Sequence, residues 1–286
     1  RAVGLRLPGG AEGRKPMGIA MLDARRGVIR AGSRRVSRTA PSLSRAGGFS
    51  YRPGETNTCA AMQIKIVRET WQERNGTMAE AFSLRCYCYL DRMQPQYASF
   101  VGTITQGDLP TEGMAALYVE MAPGNEVFRV VDIAVKATEA RPGAQIVERE
   151  FGMFEVHSPN QAAVIEAGNV VLNRLGLSVA DRIKPQVVSI QVITRVDPCQ
   201  AQLINRFRRG SMLVPGETML VLECAPAAYI NIACNEAEKT ASIKIVHVSS
   251  VGRFGRMWLS GSEAEIETAR NAAVQALENL TGKAGA

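Results

Sequence analysis

The sequence predicts an α+β protein built twice over: two tandem units of about 100 residues, each a mostly antiparallel sheet with flanking helices. Three observations predict it. First, Leu117-Tyr118-Val119-Glu120-Met121-Ala122-Pro123 returns as Leu220-Val221-Leu222-Glu223-Cys224-Ala225-Pro226, and the same offset of 103 carries Lys136 onto Lys239, Phe151 onto Phe254 and Gly152 onto Gly255. Agreement at a single offset over this span marks a duplication, the feature to find before any element is assigned. Second, Val127, Val130, Val131 and Ala134 form an i, i+3, i+4, i+7 stripe that Ile230, Ala233, Cys234 and Ala237 repeat. Third, runs of strand length, alternating or wholly apolar, surround each stripe and are punctuated by Gly and Pro. Further upstream, Asp91, Gln94 and Gln96 match Asp197, Gln200 and Gln202 at an offset of 106, which predicts three additional residues in the first copy near 102–113.

Taken in order, each copy reads as strand, short helix, strand, helix, strand, strand, helix. Residues 83–90 alternate as a strand, 115–121 are a buried strand, and 126–140 are the striped helix, with Pro142-Gly143 as its stop. Strands at 145–147 and 152–156 flank 148–151. Ser158-Pro159 supplies a cap and a first-turn proline for a helix through Val164, Ala167, Val171 and Leu175 that Gly176 closes. Residues 177–185 read as a linker. The second copy runs through strands at 187–194 and 219–225, a helix at 228–240, and strands at 243–248 and 257–259. Ser262 and Glu265 then form a capping box for a last helix through Ile266, Ala269, Ala273, Ala276 and Leu280, ended by Gly282. The expected division is 1–55 arm, 56–82 lead-in, 83–176 first unit, 177–185 linker, 186–282 second unit and 283–286 tail.

Charge is concentrated at one end. Residues 1–52 hold twelve Lys or Arg against Glu12 and Asp23, a local +10, while the whole chain carries +7, so the remainder is at −3. With no aromatic before Phe49 and no sustained apolar period, residues 1–55 are expected to be disordered. A basic arm of this kind fits an acidic or protein partner; without interleaved aromatics it offers bases nothing to stack on, so nucleic acid is not the expected partner. An Arg/Ser-rich, acid-poor start also resembles a transit peptide, and Met17, Met21 and Met62 are alternative starts that would make part of it upstream translation. The most apolar stretch, 219–234, is interrupted by Glu223, Pro226 and Asn231, so no membrane span or membrane partner is expected and the folded part reads as soluble and intracellular.

Six cysteines lie mostly in apolar strand or helix patterns, which suits reduced core thiols. Cys86-Tyr87-Cys88 places two thiols on one strand face, a metal or redox pair in the alternative reading. With His157 and His247 the only histidines and no CxxC, no metal or other cofactor is expected. No nucleophile–base–orienter set or Gly-rich phosphate loop is legible, so the chain does not read as an enzyme.

The stretch from Ala116 to Leu175, with its Tyr118-Val119-Glu120 strand, Ala134-Val135-Lys136-Ala137 helix end and small-residue-rich last helix, resembles a bacterial microcompartment shell domain. So does its copy from Met219 to Leu280. Ile190-Gln191-Val192-Ile193-Thr194-Arg195-Val196, which resembles the strand that ordinarily follows the last helix, here precedes its own unit. That order is the circularly permuted, tandem version of the fold, and after a long N-terminal extension it resembles the tandem-domain shell proteins of the α-carboxysome.

The resemblance implies a homotrimer whose six units form a pseudohexameric tile with a large gated central pore. It also implies partners in other hexameric shell proteins and transit of ribulose bisphosphate and phosphoglycerate across a carboxysome shell in the bacterial cytoplasm; single trimers and two trimers stacked face to face both stay open. Glu148 and Arg149 match the pore gate; Val251, Gly252 and Arg253 stand at the same place in the second copy and depart from it. Lys136 and Lys239 match the edge lysine and Arg195 the other edge position, for which the first copy offers Tyr89. Three Arg149 side chains around a pore would favour phosphorylated anions. The competing reading is a ferredoxin-like ligand-binding regulatory module with a basic nucleic-acid- or protein-binding tail; it would bind between the units and form no sheets.

Overall fold

The computed structural model describes residues 82–285. The arm expected at 1–55, nearly all of the lead-in and Cys59 lie outside them. The first copy contains β1 (Ser83–Leu90), α1 (Pro95–Gly102), β2 (Ala115–Ala122), α2 (Glu126–Ala137), β3 (Arg141–Glu148), β4 (Phe151–Ser158) and α3 (Gln161–Leu175). A short 3-10 turn, Val179–Asp181, precedes the second, which contains β5 (Gln186–Ile193), α4 (Pro198–Phe207), β6 (Thr218–Ala225), α5 (Ile230–Thr240), β7 (Lys244–Ser249), β8 (Gly255–Gly261) and α6 (Glu263–Glu278). A second 3-10 turn, Ala227–Tyr229, leads into α5. The two sheets have the orders β1-β2-β4-β3 and β5-β6-β8-β7, with every pairing antiparallel.

The offset of 106 is not realised. Ser83 pairs with Ala122 and Leu90 with Ala116, as Gln186 does with Ala225 and Ile193 with Met219. Pro95 and Pro198 both open a helix. Met93 exchanges backbone hydrogen bonds with Gly113 and Met114, and Val196 does the same with Gly216 and Glu217. Gly113 and Gly216 supply the left-handed residue of that loop, at φ +83° and +89°. Thus 103 holds from β1 onward and the first copy carries no net insertion. Backbone pairing sets the equivalence, and the matching polar identities at 91–96 and 197–202 are coincidental.

Several caps also differ from expectation. α2 ends at Ala137, because Thr138 turns extended; Pro142-Gly143 instead forms a bulge inside β3, where a Cβ on Gly143 would strike the Glu155 carboxylate. Asn160, not Ser158, caps α3 by accepting from the Ala162 N–H. At α6, Ser262 Oγ accepts from the Glu265 N–H at 3.3 Å, but the Glu265 carboxylate turns to the Ser242 N–H at 2.7 Å, so only half of the capping box forms. α6 stops at Glu278, and Gly282 lies beyond it against the backbone of 182–184. Gly176 closes α3 at φ +66°, as the sequence indicates.

Both helical stripes are buried, Val127, Val130, Val131 and Ala134 under the first sheet and Ile230, Ala233, Cys234 and Ala237 under the second. The two copies are joined asymmetrically. Cys86, Cys88, Leu90, Tyr97, Phe100, Tyr118 and Met153, on the α1 face of the first copy, share one core with the helix side of the second, including Tyr229, Ile230 and Cys234. The corresponding face of the second copy keeps only a small cluster around Val196, Ile204 and Leu213. The joint is therefore head to tail.

Polar groups seal it. Gln94 provides no side-chain cap for α1; the Glu238 carboxylate of α5 accepts from the N–H groups of Gln96 and Tyr97 at 2.8 Å each. In contrast, Asp197 caps α4 locally, accepting from Cys199 N–H at 2.7 Å.

Candidate functional site

β3 and β4 form a tight hairpin in which Glu148 pairs with Phe151, leaving Arg149 and Glu150 as its turn. Arg149 is at φ +54°, in the left-handed region, which for a side chain with a Cβ costs about 1–2 kcal/mol. Its guanidinium is 91% exposed, with Nε 3.8 Å from Glu148 Oε1. This is a loose ion pair in water, worth about 0.2–1 kcal/mol. At the corresponding place the second copy has Gly252, at φ +89°, in a longer loop between β7 and β8. A Cβ on Gly252 would stand 3.6 Å from Glu148 Cγ, so the two turns are neighbours. Val251 is half-buried and Arg253 is exposed, 5.5 Å from the Phe254 ring.

The repeated Phe-Gly pair after each turn has a packing reason. Gly152 abuts Gly124 and Val127, and Gly255 abuts Ala227 and Ile230, so each hairpin lies directly on the turn that leads into its striped helix. Any larger residue would lift it.

The expected edge residues are spread apart. Lys136 is exposed and, among the described residues, bonds to Asp132 alone, at 2.7 Å one helical turn away. Lys239 is mostly covered and bonds both Asp91 of the first copy, at 2.8 Å, and Glu236, at 2.7 Å. Arg195 is exposed at φ +49°. Its counterpart at the true offset is Arg92, also exposed, and not Tyr89; the first copy does present an arginine there.

Sequence reasoning missed two groups. Arg85 lies over the Phe151 ring, 3.6 Å from its centroid, and its Nε donates to Glu120 Oε1 at 2.7 Å. Burial pushes the Glu120 carboxyl up in pKa against the pull of Arg85. The first sheet also encloses a polar cluster in which His157 Nδ1 is 3.0 Å from Glu155 Oε1 and Nε2 is 3.4 Å from Asp108 Oδ2. The second copy has Ser260, Trp258 and Ser211 at these places. Neither group has a local motif that would have announced it.

A cavity of about 410 Å³ lies between the copies, lined in part by Tyr118, Glu155, Asn231, Arg209 and His247. Cys86, Cys88, Cys224 and Cys234 are buried thiols, and burial pushes Cys88 to about 12. Among the described residues no group of three or more His, Cys, Asp or Glu is arranged to hold a metal, and no helix is long and apolar enough to cross a membrane.

Comparison with known proteins places this geometry. The family model described as the CsoS1D N-terminal domain matches residues 84–181. The carboxysome shell protein CcmP of Synechococcus elongatus is 53% identical over 200 residues, covering 70% of this chain and 94% of that protein. The carboxysome shell protein CsoS1D of Prochlorococcus marinus is 43% identical, covering 73% and 82%. Among solved structures, the fused permuted hexameric shell protein of the RMM microcompartment superposes with a TM-score of 0.68 at 42% identity, covering 70% of this chain and 99% of that one. The double-ringed trimeric shell protein of the same microcompartment gives 0.69 at 34% identity, covering 72% and 100%. With two permuted α+β copies in tandem and relatives this similar over nearly their whole length, the chain belongs to the tandem-domain bacterial microcompartment shell proteins, the family of CcmP and CsoS1D.

Proposed function

We propose that the chain is a structural, non-catalytic tile of a carboxysome shell in the bacterial cytoplasm. Three copies close into a pseudohexameric ring whose central pore is gated by Glu148 and Arg149. The head-to-tail joint inside the chain is the observation that carries this. A heterologous contact repeats until its rotation closes a ring. Both halves of the next contact stand uncovered: Val188, Leu203 and Phe207 on the second copy, and Phe128, 56% exposed, on the α2 face of the first. Leu203 is the counterpart of Phe100, and Phe128 of Asn231, both buried in the existing joint. The hexameric and trimeric assemblies named for the two solved relatives support the same closure.

Closure by six units around one axis turns the adjacent β3–β4 and β7–β8 turns towards a common opening. Three exposed Glu148–Arg149 pairs would hold a closed state by only about 1–3 kcal/mol, so the gate switches easily. With Arg149 released, the opening is ringed by positive charge that suits ribulose bisphosphate moving inward and phosphoglycerate moving outward. Lys136, Lys239, Arg195 and Arg92 serve the edges where tiles meet other hexameric shell proteins, and two trimers stack face to face.

Reversing the charge with Arg149→Glu should lower phosphoglycerate flux through reconstituted shells. Unchanged flux would contradict the gate. The cavity between the copies favours a second reading, a ligand-binding regulatory module; such a module would be a monomer or dimer with no central hole.

A further inference from the structure

We propose that Arg85 is a positioning residue for the pore turn, bracing it against the joint between the two copies; this rests on reading Glu148 and Arg149 as the gate. Phe151 is the first residue after the turn and pairs with Glu148 across the hairpin, so any swing of the turn must move its ring or slide past it. The Arg85 guanidinium covers that ring at 3.6 Å. On its other side the Arg85 Nε donates to Glu120 Oε1 at 2.7 Å. Glu120 is 1% exposed and cannot move freely, because its second oxygen accepts the Ala228 N–H of the second copy at 2.8 Å. A continuous path therefore runs from the turn through Phe151, Arg85 and Glu120 to the 3-10 turn that enters α5.

Arginine suits this place as lysine would not. Its planar group can stack on an aromatic face and donate sideways to a carboxylate at the same time, and a carboxylate buried as deeply as Glu120 needs a fixed cation.

The second copy lacks the brace. Val188 stands where Arg85 does, Glu223 pairs with Arg256 instead, and among the described residues Phe254 has only Arg253, at 5.5 Å. The brace is thus confined to the copy that carries the Glu-Arg turn. A path anchored in the joint also makes the turn sensitive to how the two copies pack.

The test uses assembled rings of the full chain, with open and closed pores counted by class averaging of cryo-electron micrographs. Arg149→Ala, the control for the gate itself, should empty the closed class. Arg85→Gln should change the open-to-closed ratio by about threefold or more while ring mass stays the same. Arg85→Lys, which keeps the charge for Glu120 but not the stacked plane, should fall between Arg85→Gln and the wild type. If Arg85→Gln does not assemble, Phe151→Leu carries the test, since it removes the ring face and leaves Glu120 paired; it should reproduce the shift. Wild-type ratios in Arg85→Gln and Phe151→Leu rings, with Arg149→Ala still shifting, overturn the brace and leave the gate standing. An unchanged ratio in Arg149→Ala rings overturns the gate and the brace with it.

Discussion

The two copies have the same strands, the same order and the same offset, yet they differ where function is expected. The first copy places Arg149, a residue that resists the left-handed region, at a turn where the second uses Gly252. It lays Arg85 over the following Phe151, buries His157 and Glu155 beside a half-exposed Asp108 and covers its α1 face with its neighbour. The second keeps a relaxed loop and leaves the matching face open. Duplication supplied the frame, and divergence at a few positions set the two turns apart. Strain retained at one of two equivalent sites, when the relaxed solution exists 103 residues away, is a pointer to function that Arg149 shares with Arg195, at φ +49° against its counterpart Arg92.

The largest expected effect breaks the comparison at the joints. Phe128 replaces the buried Asn231 in the uncovered half of the joint, so Phe128→Asp puts a charge where about 1.5–3 kcal/mol of apolar burial is expected. Rings should fall to single chains with unchanged circular dichroism, as read by light scattering; intact rings would show that the two joints are not alike.

Next in size is the cap. Glu238→Ala removes a carboxylate that accepts two N–H groups across the joint and should cost about 1–3 kcal/mol in denaturant unfolding, whereas Asp197→Ala, the local cap in the other copy, should cost about 0.5–2 kcal/mol. A smaller loss at Glu238 would mean that α1 does not depend on its neighbour.

The turns sharpen the contrast further. Arg149→Gly should stabilise the folded chain by about 1 kcal/mol while abolishing gating, and Gly252→Ala should destabilise it by a similar amount. The smallest effect is pH dependence. Burial works against the imidazolium of His157, but the Glu155 and Asp108 carboxylates outweigh it and raise its pKa, with Arg141 beyond Asp108 at 3.5 Å. A raised folded-state pKa gives stability that is complete below about pH 6.5 and is lost as pH rises through the raised value. Burial likewise raises Glu155, whose contribution has the same sign but is lost as pH rises from about 4.3. The melting temperature should therefore fall as pH rises above about 6.5, and His157→Gln should flatten the slope.

Much of the fold is legible because period and repetition are local signals. The stripes at 127–134 and 230–237, the strand at 83–90 and the Gly176 stop needed only neighbouring residues to be read. What was not legible depends on distant partners. Arg92 is the counterpart of Arg195 because Met93 and Val196 make the same backbone bonds; the competing identities of Asp91, Gln94 and Gln96 at an offset of 106 hid that match in the sequence. The cap of α1 comes from Glu238, more than 140 residues away, and the brace on Phe151 from Arg85, on a different strand. Glu148 and Arg149 are singled out only by the resemblance to shell proteins, since a Glu-Arg pair in a loop says nothing alone and the repeat does not reproduce it. Pro142-Gly143 misled because a bulge and a helix stop use the same residues.

The most direct test of the central claim, that the joint inside the chain repeats between chains, is the native mass by multi-angle light scattering with the same sample viewed by electron microscopy. The account predicts three chains, or six when rings stack, with a sixfold-looking ring and a central hole. A monomer or dimer without a hole would contradict it.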